Sequence, residues 1–144
     1  MVVLAAGIAS CGGSTADTHS KPVAVRLGYF PNVTHASALV AVNKGLFKKN
    51  LPSRATLETK TFTVGTQAVE ALFSGALDIT YIGPSPTINA YEKSKGDAVR
   101  IVGGATSGGA FLVTKPAITT PADLKGKKLA SPGLGGTQDV ALRA

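Results

Sequence analysis

The residues best suited to chemistry in this sequence are glycines and hydroxyl residues at the starts of predicted helices. Two glycine-rich stretches, residues 103–109 and 133–138, offer backbone N–H groups that no side chain obstructs. Such groups bind oxyanions, above all next to the N-terminus of a helix. The same glycines could instead only form tight turns, and for a single loop the two interpretations are equally good. Several such loops at the ends of predicted strands favour ligand binding.

Neither stretch has the pattern of a nucleotide-binding loop. Residues 133–138 begin like a dinucleotide fingerprint, but Gln138 stands where the third glycine belongs, and the lysine of a P-loop is missing. Residues 103–109 fit neither pattern. We therefore expect no nucleotide and no other cofactor.

Catalytic groups are sparse. The two histidines are His19, in a polar N-terminal stretch, and His35, at the start of a predicted helix. His35 could be a base, an anion contact or a partly exposed capping residue. The eight carboxylates are spread out, and there is no Gly-x-Ser-x-Gly, HExxH or metal-binding cysteine pair. We expect no catalytic residue, no metal site and no enzymatic activity.

Composition describes a globular protein with a basic surface. Hydrophobic residues make up 44% and charged residues 16% of the chain, and the formal net charge is +7. The charge could belong to a solvated surface, or it could suit an anionic ligand or membrane. The basic residues are scattered and not interleaved with aromatics, so we expect no nucleic-acid partner. We expect a monomer.

The first residues resemble a lipoprotein signal. Residues 1–10 are all apolar or small, and IASC, which ends at Cys11, resembles the bacterial lipobox. A basic n-region is missing, and the alternative is a short apolar N-terminus with a chance cysteine. We interpret residues 1–11 as a partial lipoprotein signal peptide lipidated at Cys11. Residues 12–21, small and polar, are predicted to be a flexible tether.

Hydrophobic periodicity predicts strands that alternate with helices. Strands are predicted at residues 23–30, 55–62, 78–82, 99–102, 110–114 and 128–131. Helices are predicted at residues 35–49, 63–74 and 85–94, in one turn at 120–126, and from 136 onward. Ser85 and Pro86 are predicted as the N-cap and first residue of the third helix. The alternation predicts an α/β fold with a mainly parallel sheet, whose ligands bind in strand-to-helix loops.

Four segments carry a resemblance to a known family: VRLGYFPNVTHASALVAVNKGLF, EALFSGALDITYIGPSPTINAY, VRIVGGATSGGAFLV and TTPADLKGKKLASPGLGGTQD. Together they resemble the solute-binding proteins of the nitrate, taurine and aliphatic sulfonate import family, over residues 23–143. The resemblance implies a type II periplasmic-binding-protein-like fold whose two lobes close on a ligand. Residues 22–114 would form lobe I, incomplete without its C-terminal return, and residues 115–144 the start of a truncated lobe II.

The resemblance also implies a function. The protein would be an extracytoplasmic component of an ABC importer, lipid-anchored to the cell membrane in the periplasm or at the cell surface. It would deliver a small oxyanion, such as an aliphatic sulfonate, taurine, nitrate or bicarbonate, to permease subunits. The ligand-facing residues implied by the resemblance are Asn32, Thr34, His35, Gly83, Pro84, Ser85, Ser107, Gly108, Gly109, Gly136, Thr137 and Gln138.

Three alternatives stay open. Binding proteins for a pyrimidine or thiamine precursor look similar, and a related synthase-like enzyme with histidine-dependent chemistry shares the fold. The lipobox at Cys11 argues against a cytoplasmic enzyme. The third alternative is a sensory or scaffold role at the cell surface.

Overall fold

A small parallel sheet forms the centre of the chain. The computed structural model describes residues 21–144, so Cys11, the predicted signal peptide and most of the predicted tether lie outside the described residues. The strands are β1 (Val23–Tyr29), β2 (Ala55–Thr61) and β3 (Ile79–Thr80), in the order β2-β1-β3. β1 pairs with β2 along its whole length and with β3 at two positions. The predicted α/β class with a parallel sheet is confirmed.

Five α-helices and two short 3₁₀ turns accompany the sheet in the described part of the chain. The helices are α1 (Ala36–Asn43), α2 (Leu46–Asn50), α3 (Gly65–Phe73), α4 (Pro84–Lys93) and α5 (Thr137–Arg143), and the turns are Val33–His35 and Pro121–Leu124. The prediction of one helix over residues 35–49 is wrong, because Gly45 has a φ of 64° that ends α1 and begins α2. Only glycine adopts this left-handed conformation without cost.

The start of α4 also differs from the prediction. Gly83 is the N-cap and Pro84 the first helical residue, which places Ser85 second. Proline is well suited to the first position because its φ is preset and its missing N–H would have no partner there. Pro84 and Pro86, separated by one residue, each allowed a helix start, and the structure has the earlier one.

Three predicted strands do not form. Residues 99–102, 110–114 and 128–131 have no regular secondary structure. The apolar side chains Ile101 and Phe111 are 82% and 89% exposed. These segments have strand-like composition, but a strand also needs a neighbouring ladder and a covered apolar face. Within residues 21–144 they have neither.

The buried core is built largely from small and aliphatic side chains. Its buried apolar members are Leu27, Phe30, Ala38, Ala68, Leu77 and Ala90. Leu27 in β1 is the largest fully buried side chain among the described residues. Alanines lie at the buried positions of α1, α3 and α4, and those on α3 and α4 suit the close contact between these two helices.

An ion pair ties the central strand to the turn before β3. Arg26 Nε and Nη2 donate to Asp78 Oδ2 and Oδ1 at 2.9 and 2.6 Å, and the Arg26 backbone N–H donates to Oδ2 at 2.8 Å. The guanidinium also donates to the carbonyl oxygen of Gly75. The hydrogen bonds from the Arg26 side chain, then that from its backbone, lower the pKa of Asp78 from 3.8 to about 2. The charged carboxylate therefore stabilises the folded chain more than the protonated form does.

This pair predicts a loss of stability in acid. Because the pKa of Asp78 is lower in the folded state, its contribution is fully present above the unfolded value of 3.8 and is lost as pH falls toward about 2. Urea unfolding of Asp78→Asn is expected to show a flatter pH dependence than wild type in this window. Asp97→Asn, which changes another exposed aspartate, is the control and should keep the wild-type slope. Equal slopes for all three proteins would contradict the prediction.

Candidate functional site

Three helices begin close together at the carboxyl edge of the sheet. α3 follows β2 and α4 follows β3, so both start where parallel strands end. The loop before α5 and the first residue of α5 lie against both starts. The residues in contact are Val64, Gly65, Gly83, Pro86, Gly133 and Thr137, which we name the helix-start cluster. Ligands of parallel α/β sheets bind at this edge.

Gly65 allows α3 and α4 to contact each other because it has no side chain. A Cβ atom on Gly65 would lie 2.5 Å from Pro86 Cγ and 2.9 Å from Pro86 Cβ. Real Cβ atoms do not approach this closely, so the first turns of the two helices fit together only with glycine at position 65. Both residues are buried.

Glycines also allow α5 and the loop before it to pack against the starts of the other two helices. A Cβ atom on Gly83 would lie 2.3 Å from Thr137 Oγ1, and one on Gly133 would lie 2.3 Å from Val64 Cγ1. The Ser85 N–H donates a hydrogen bond to Thr137 Oγ1 at 3.4 Å. Four of the predicted ligand-facing residues, Gly83, Pro84, Ser85 and Thr137, are therefore brought together.

The N-terminus of α4 has few free donors. Pro84 and Pro86 have no N–H group, so Ser85 supplies the only amide donor among the first three residues of this helix. The Thr87 N–H already donates to the Gly83 carbonyl oxygen at 3.4 Å. The helix dipole still favours an anion here. The site offers one backbone donor and the hydroxyl groups of Ser85 and Thr137, not the row of N–H groups found in a phosphate loop.

A carboxylate of α5 itself accepts hydrogen bonds near the start of this helix. Asp139 Oδ2 accepts hydrogen bonds from the Gly135 N–H at 3.0 Å and from Arg143 Nε at 3.2 Å. The bond from Gly135, followed by that from Arg143, lowers the pKa of Asp139. Sequence reasoning missed this residue, although an aspartate at the third position of a predicted helix is the usual signal. Gly136 donates to the Gly133 carbonyl oxygen at 3.3 Å, and Gln138 is half-buried on the first turn.

The loop after β1 forms a separate part of this edge. Asn32 Oδ1 accepts from the Thr34 N–H at 3.2 Å and from Thr34 Oγ1 at 2.5 Å, so the two polar side chains satisfy each other. Both residues are exposed at the start of the 3₁₀ turn.

His35 lies in an aromatic cluster, defined as Phe30, His35 and Tyr81. Its ring centroid is 4.5 Å from that of Phe30 and 6.3 Å from that of Tyr81. His35 is buried, and its Nδ1 accepts from the Phe30 N–H at 3.4 Å. Burial lowers the pKa of His35, which favours the neutral ring. The alternative of a partly exposed capping histidine is wrong, because the side chain is buried and forms no cap hydrogen bond with α1.

Ser107, Gly108 and Gly109 are not brought together with the other predicted ligand-facing residues. They are exposed, and no atom comes within 4 Å of an added Cβ at position 108 or 109. Gly108 and Gly109 have φ values of 98° and 74°, which fits their interpretation as turn residues.

Other kinds of site find little support between residues 21 and 144. No group of three His, Cys, Asp or Glu side chains in this range could hold a metal ion. None of the helices in the described residues is long and apolar enough to cross a bilayer. An open apolar cavity of about 370 Å³ lies between α2 and β2, lined by Phe47, Leu51 and Leu57 among others, away from the helix-start cluster.

Comparison with known proteins identifies the family of this α/β chain. Residues 18–144 match the NMT1-like family, and the chain belongs to it. This family covers binding proteins of the nitrate, taurine and sulfonate type.

Similar curated relatives are provisionally named binding proteins of Brucella abortus (strain 2308), Brucella suis biovar 1 (strain 1330) and Brucella melitensis biotype 1. Each is 34% identical over 123 residues, which are 84% of this chain and 36% of the relative. The chain thus spans about a third of the length of these relatives. No solved structure matches.

Proposed function

We propose that the protein is the solute-binding component of an ABC importer and captures a small oxyanion, such as an aliphatic sulfonate, taurine or nitrate, between two lobes. The observation that carries this proposal is membership in the NMT1-like family over nearly the whole chain. The provisional binding role in the names of the Brucella relatives supports it. In this proposal the protein acts by binding and release and is not an enzyme.

The helix-start cluster is the proposed centre of ligand binding. The Ser85 N–H and the Thr137 hydroxyl face each other there, at the N-terminus of α4, whose dipole favours an anion. The predicted contacts of lobe II at Gly136 and Gln138 are next to Thr137 along the chain. The formal net charge of +7 would assist the approach of an anion.

The proposal includes a location and partners. The protein would be a monomer outside the cytoplasm, attached to the membrane through a lipid on Cys11, and would pass its ligand to permease subunits. Residues 22–114 would belong to lobe I and residues 115–144 to lobe II. The lipobox-like IASC and the polar residues 12–21 are the sequence features that support an anchored form.

A thermal-shift screen of the full-length protein tests the ligand class. The panel contains alkanesulfonates, taurine, nitrate, bicarbonate, sulfate and a pyrimidine precursor. A ligand at one hundred times its dissociation constant is expected to stabilise the protein by about 2.7 kcal/mol, or several degrees in Tm. Thr137→Ala should reduce the shift, whereas Thr59→Ala, an exposed threonine of β2, should not. An anion panel without any shift would contradict the oxyanion proposal.

The second candidate ligand is an uncharged heterocycle of the pyrimidine type. Tyr81, the half-buried member of the aromatic cluster, favours it, because an accessible aromatic ring can stack on a flat heterocycle. The single backbone donor in the first turn of α4 also suits a neutral ligand better than a phosphate-like one. A shift with the pyrimidine precursor alone would favour this candidate and reopen the synthase-like alternative.

A further inference from the structure

Three exposed lysines lie close together where α1 ends and α2 runs toward β2. Lys44 follows the last residue of α1, and Lys48 and Lys49 belong to α2. We name these three residues the basic corner. None of them forms an ion pair with a carboxylate of the described residues. From residue 18 to residue 57 the sequence contains four lysines and two arginines but no aspartate or glutamate.

The first carboxylate after this acid-free stretch faces away from the basic corner. Glu58 stands opposite Arg26 in the pairing of β2 with β1. Successive side chains of a strand point to opposite faces of the sheet. Leu57 lines the cavity between α2 and β2, so Glu58 lies on the other face. The cavity face of β2 therefore carries no negative charge.

Apolar groups lie directly beside the basic corner. Lys48 lines the open cavity of about 370 Å³ together with Phe47 and Leu51. Val40 and Leu46 are exposed on the same two helices. A lysine can cover apolar surface with its stem while its charged end stays in water. This combination of positive charge and apolar surface is typical of protein elements at the boundary between lipid head groups and acyl chains.

The basic corner lies toward the amino edge of the sheet, opposite to the helix-start cluster. Because β1 and β2 are parallel, the connection between them, which contains α1 and α2, returns from the carboxyl edge to the amino edge. The Val23 N–H donates to the Arg54 carbonyl oxygen at 2.9 Å, so the chain enters β1 beside the loop before β2. The proposed lipid on Cys11 would thus be joined to the fold at the edge that carries the basic corner.

We propose that the basic corner is a contact surface for anionic phospholipids of the membrane. The lysines bind the phosphate groups of the lipids, and Leu46 and the neighbouring cavity contact their apolar parts. A phospholipid has both features, which an acidic protein segment lacks. The helix-start cluster, at the opposite edge, stays open to the solution from which the solute is captured. The proposal rests on the membrane-attached location proposed above and adds a contact that does not need the covalent lipid.

Vesicle co-sedimentation of full-length protein carrying Cys11→Ser, which removes the lipidation residue, tests this surface. We expect binding to vesicles that contain phosphatidylglycerol, weaker binding to phosphatidylcholine vesicles, and a loss of the difference at high salt. Changing Lys48 and Lys49 together to glutamine should lower the partition coefficient on the order of thirtyfold, or about fivefold for each lysine. The control, with Lys127 and Lys128 changed to glutamine, removes the same charge from another adjacent exposed pair and should bind as before.

Four results would overturn the proposal. Equal losses in the two double variants would attribute the binding to net charge alone, and undiminished binding without Lys48 and Lys49 would exclude the basic corner. Equal binding to both kinds of vesicle would leave no role for the anionic lipid. Binding to neither kind would favour an acidic protein as the partner. The Lys48 and Lys49 variant should keep its thermal shift with an oxyanion, because the helix-start cluster is unchanged. The vesicle assay contains no solute, so either proposal can fail alone.

Discussion

Replacing Leu27 by alanine is expected to lower the free energy of unfolding by about 2–5 kcal/mol, the range for large-to-small substitutions of buried leucines. Leu27 is 2% exposed at the centre of the middle strand. It is paired with Thr59 of β2 and with Ile79 of β3, so its side chain lies where the three strands meet. The substitution removes buried apolar surface and leaves a cavity that neighbouring side chains fill only partly. Three of the six buried apolar residues are alanines, whose short side chains cannot extend into the space.

Urea unfolding of the full-length protein, followed by circular dichroism, measures this loss. Leu134→Ala is the matched control, because the same atoms are removed from a side chain that is 75% exposed. The control is expected to change the free energy of unfolding by less than about 0.5 kcal/mol. If the two variants were equally stable, Leu27 would not be the centre of the core.

The sequence patterns located the elements that depend on local chemistry. β1 and β2 were predicted to within a residue or two at each end, β1 from a β-branched and aromatic run that ends at Pro31 and β2 from its period-two alternation. The helix predicted at residues 63–74 is α3, and Gly75, with a φ of 69°, follows its end. The one-turn helix predicted at residues 120–126 is present as the turn Pro121–Leu124, where the Thr120 N–H donates to Asp123 Oδ2 at 2.8 Å. In each case residues a few positions apart determine the structure.

Predictions that depend on distant partners were less successful. Residues 99–102 and 110–114 have the composition of strands but no ladder in the described residues. Strand preference reflects packing against neighbours, so composition alone cannot supply the missing partner. The break at Gly45 was missed because the apolar spacing continues through it, although a glycine inside a helical pattern is also a signal for an end.

For the candidate site, too, local features could be predicted from the sequence and long-range contacts could not. The loops after β1 and β3 and the start of α5 were predicted from strand-to-helix order and from glycine and hydroxyl content, and their ligand-facing residues from the family resemblance. The contacts of Gly83 with Thr137 and of Gly133 with Val64 could not be predicted, because they join residues that are 54 and 69 positions apart in the sequence. Such close approaches depend on how the helices pack and leave no periodic signal in the sequence. Gly83 was predicted to face the ligand and Gly133 to lie in a glycine-rich loop, whereas the structure uses both glycines as contact points between helix starts.

Replacing Gly65 by alanine is expected to destabilise the protein by about 1–3 kcal/mol, the usual cost of overpacking a close contact. The new Cβ would lie 2.5 Å from Pro86 Cγ. A change of ring pucker moves Cγ but leaves Pro86 Cβ, at 2.9 Å, nearly in place, so the first turns of α3 and α4 must separate. Alanine gains up to about 1 kcal/mol of helix propensity over glycine, and less at the first residue of a helix, so the steric cost is larger. The separation would also displace the Ser85 amide and reduce ligand binding.

Two measurements on Gly65→Ala separate these effects. Urea unfolding gives the loss of stability, and the thermal-shift screen gives the response to ligand. Gly104→Ala is the control, because nothing lies within 4 Å of a Cβ at that exposed position and its φ is not positive. We expect the control to keep both properties. Wild-type stability in Gly65→Ala would show that α3 and α4 do not depend on the contact between Gly65 and Pro86. A stable variant that had lost its ligand response would instead place Gly65 itself against the ligand, because only the site would then have changed.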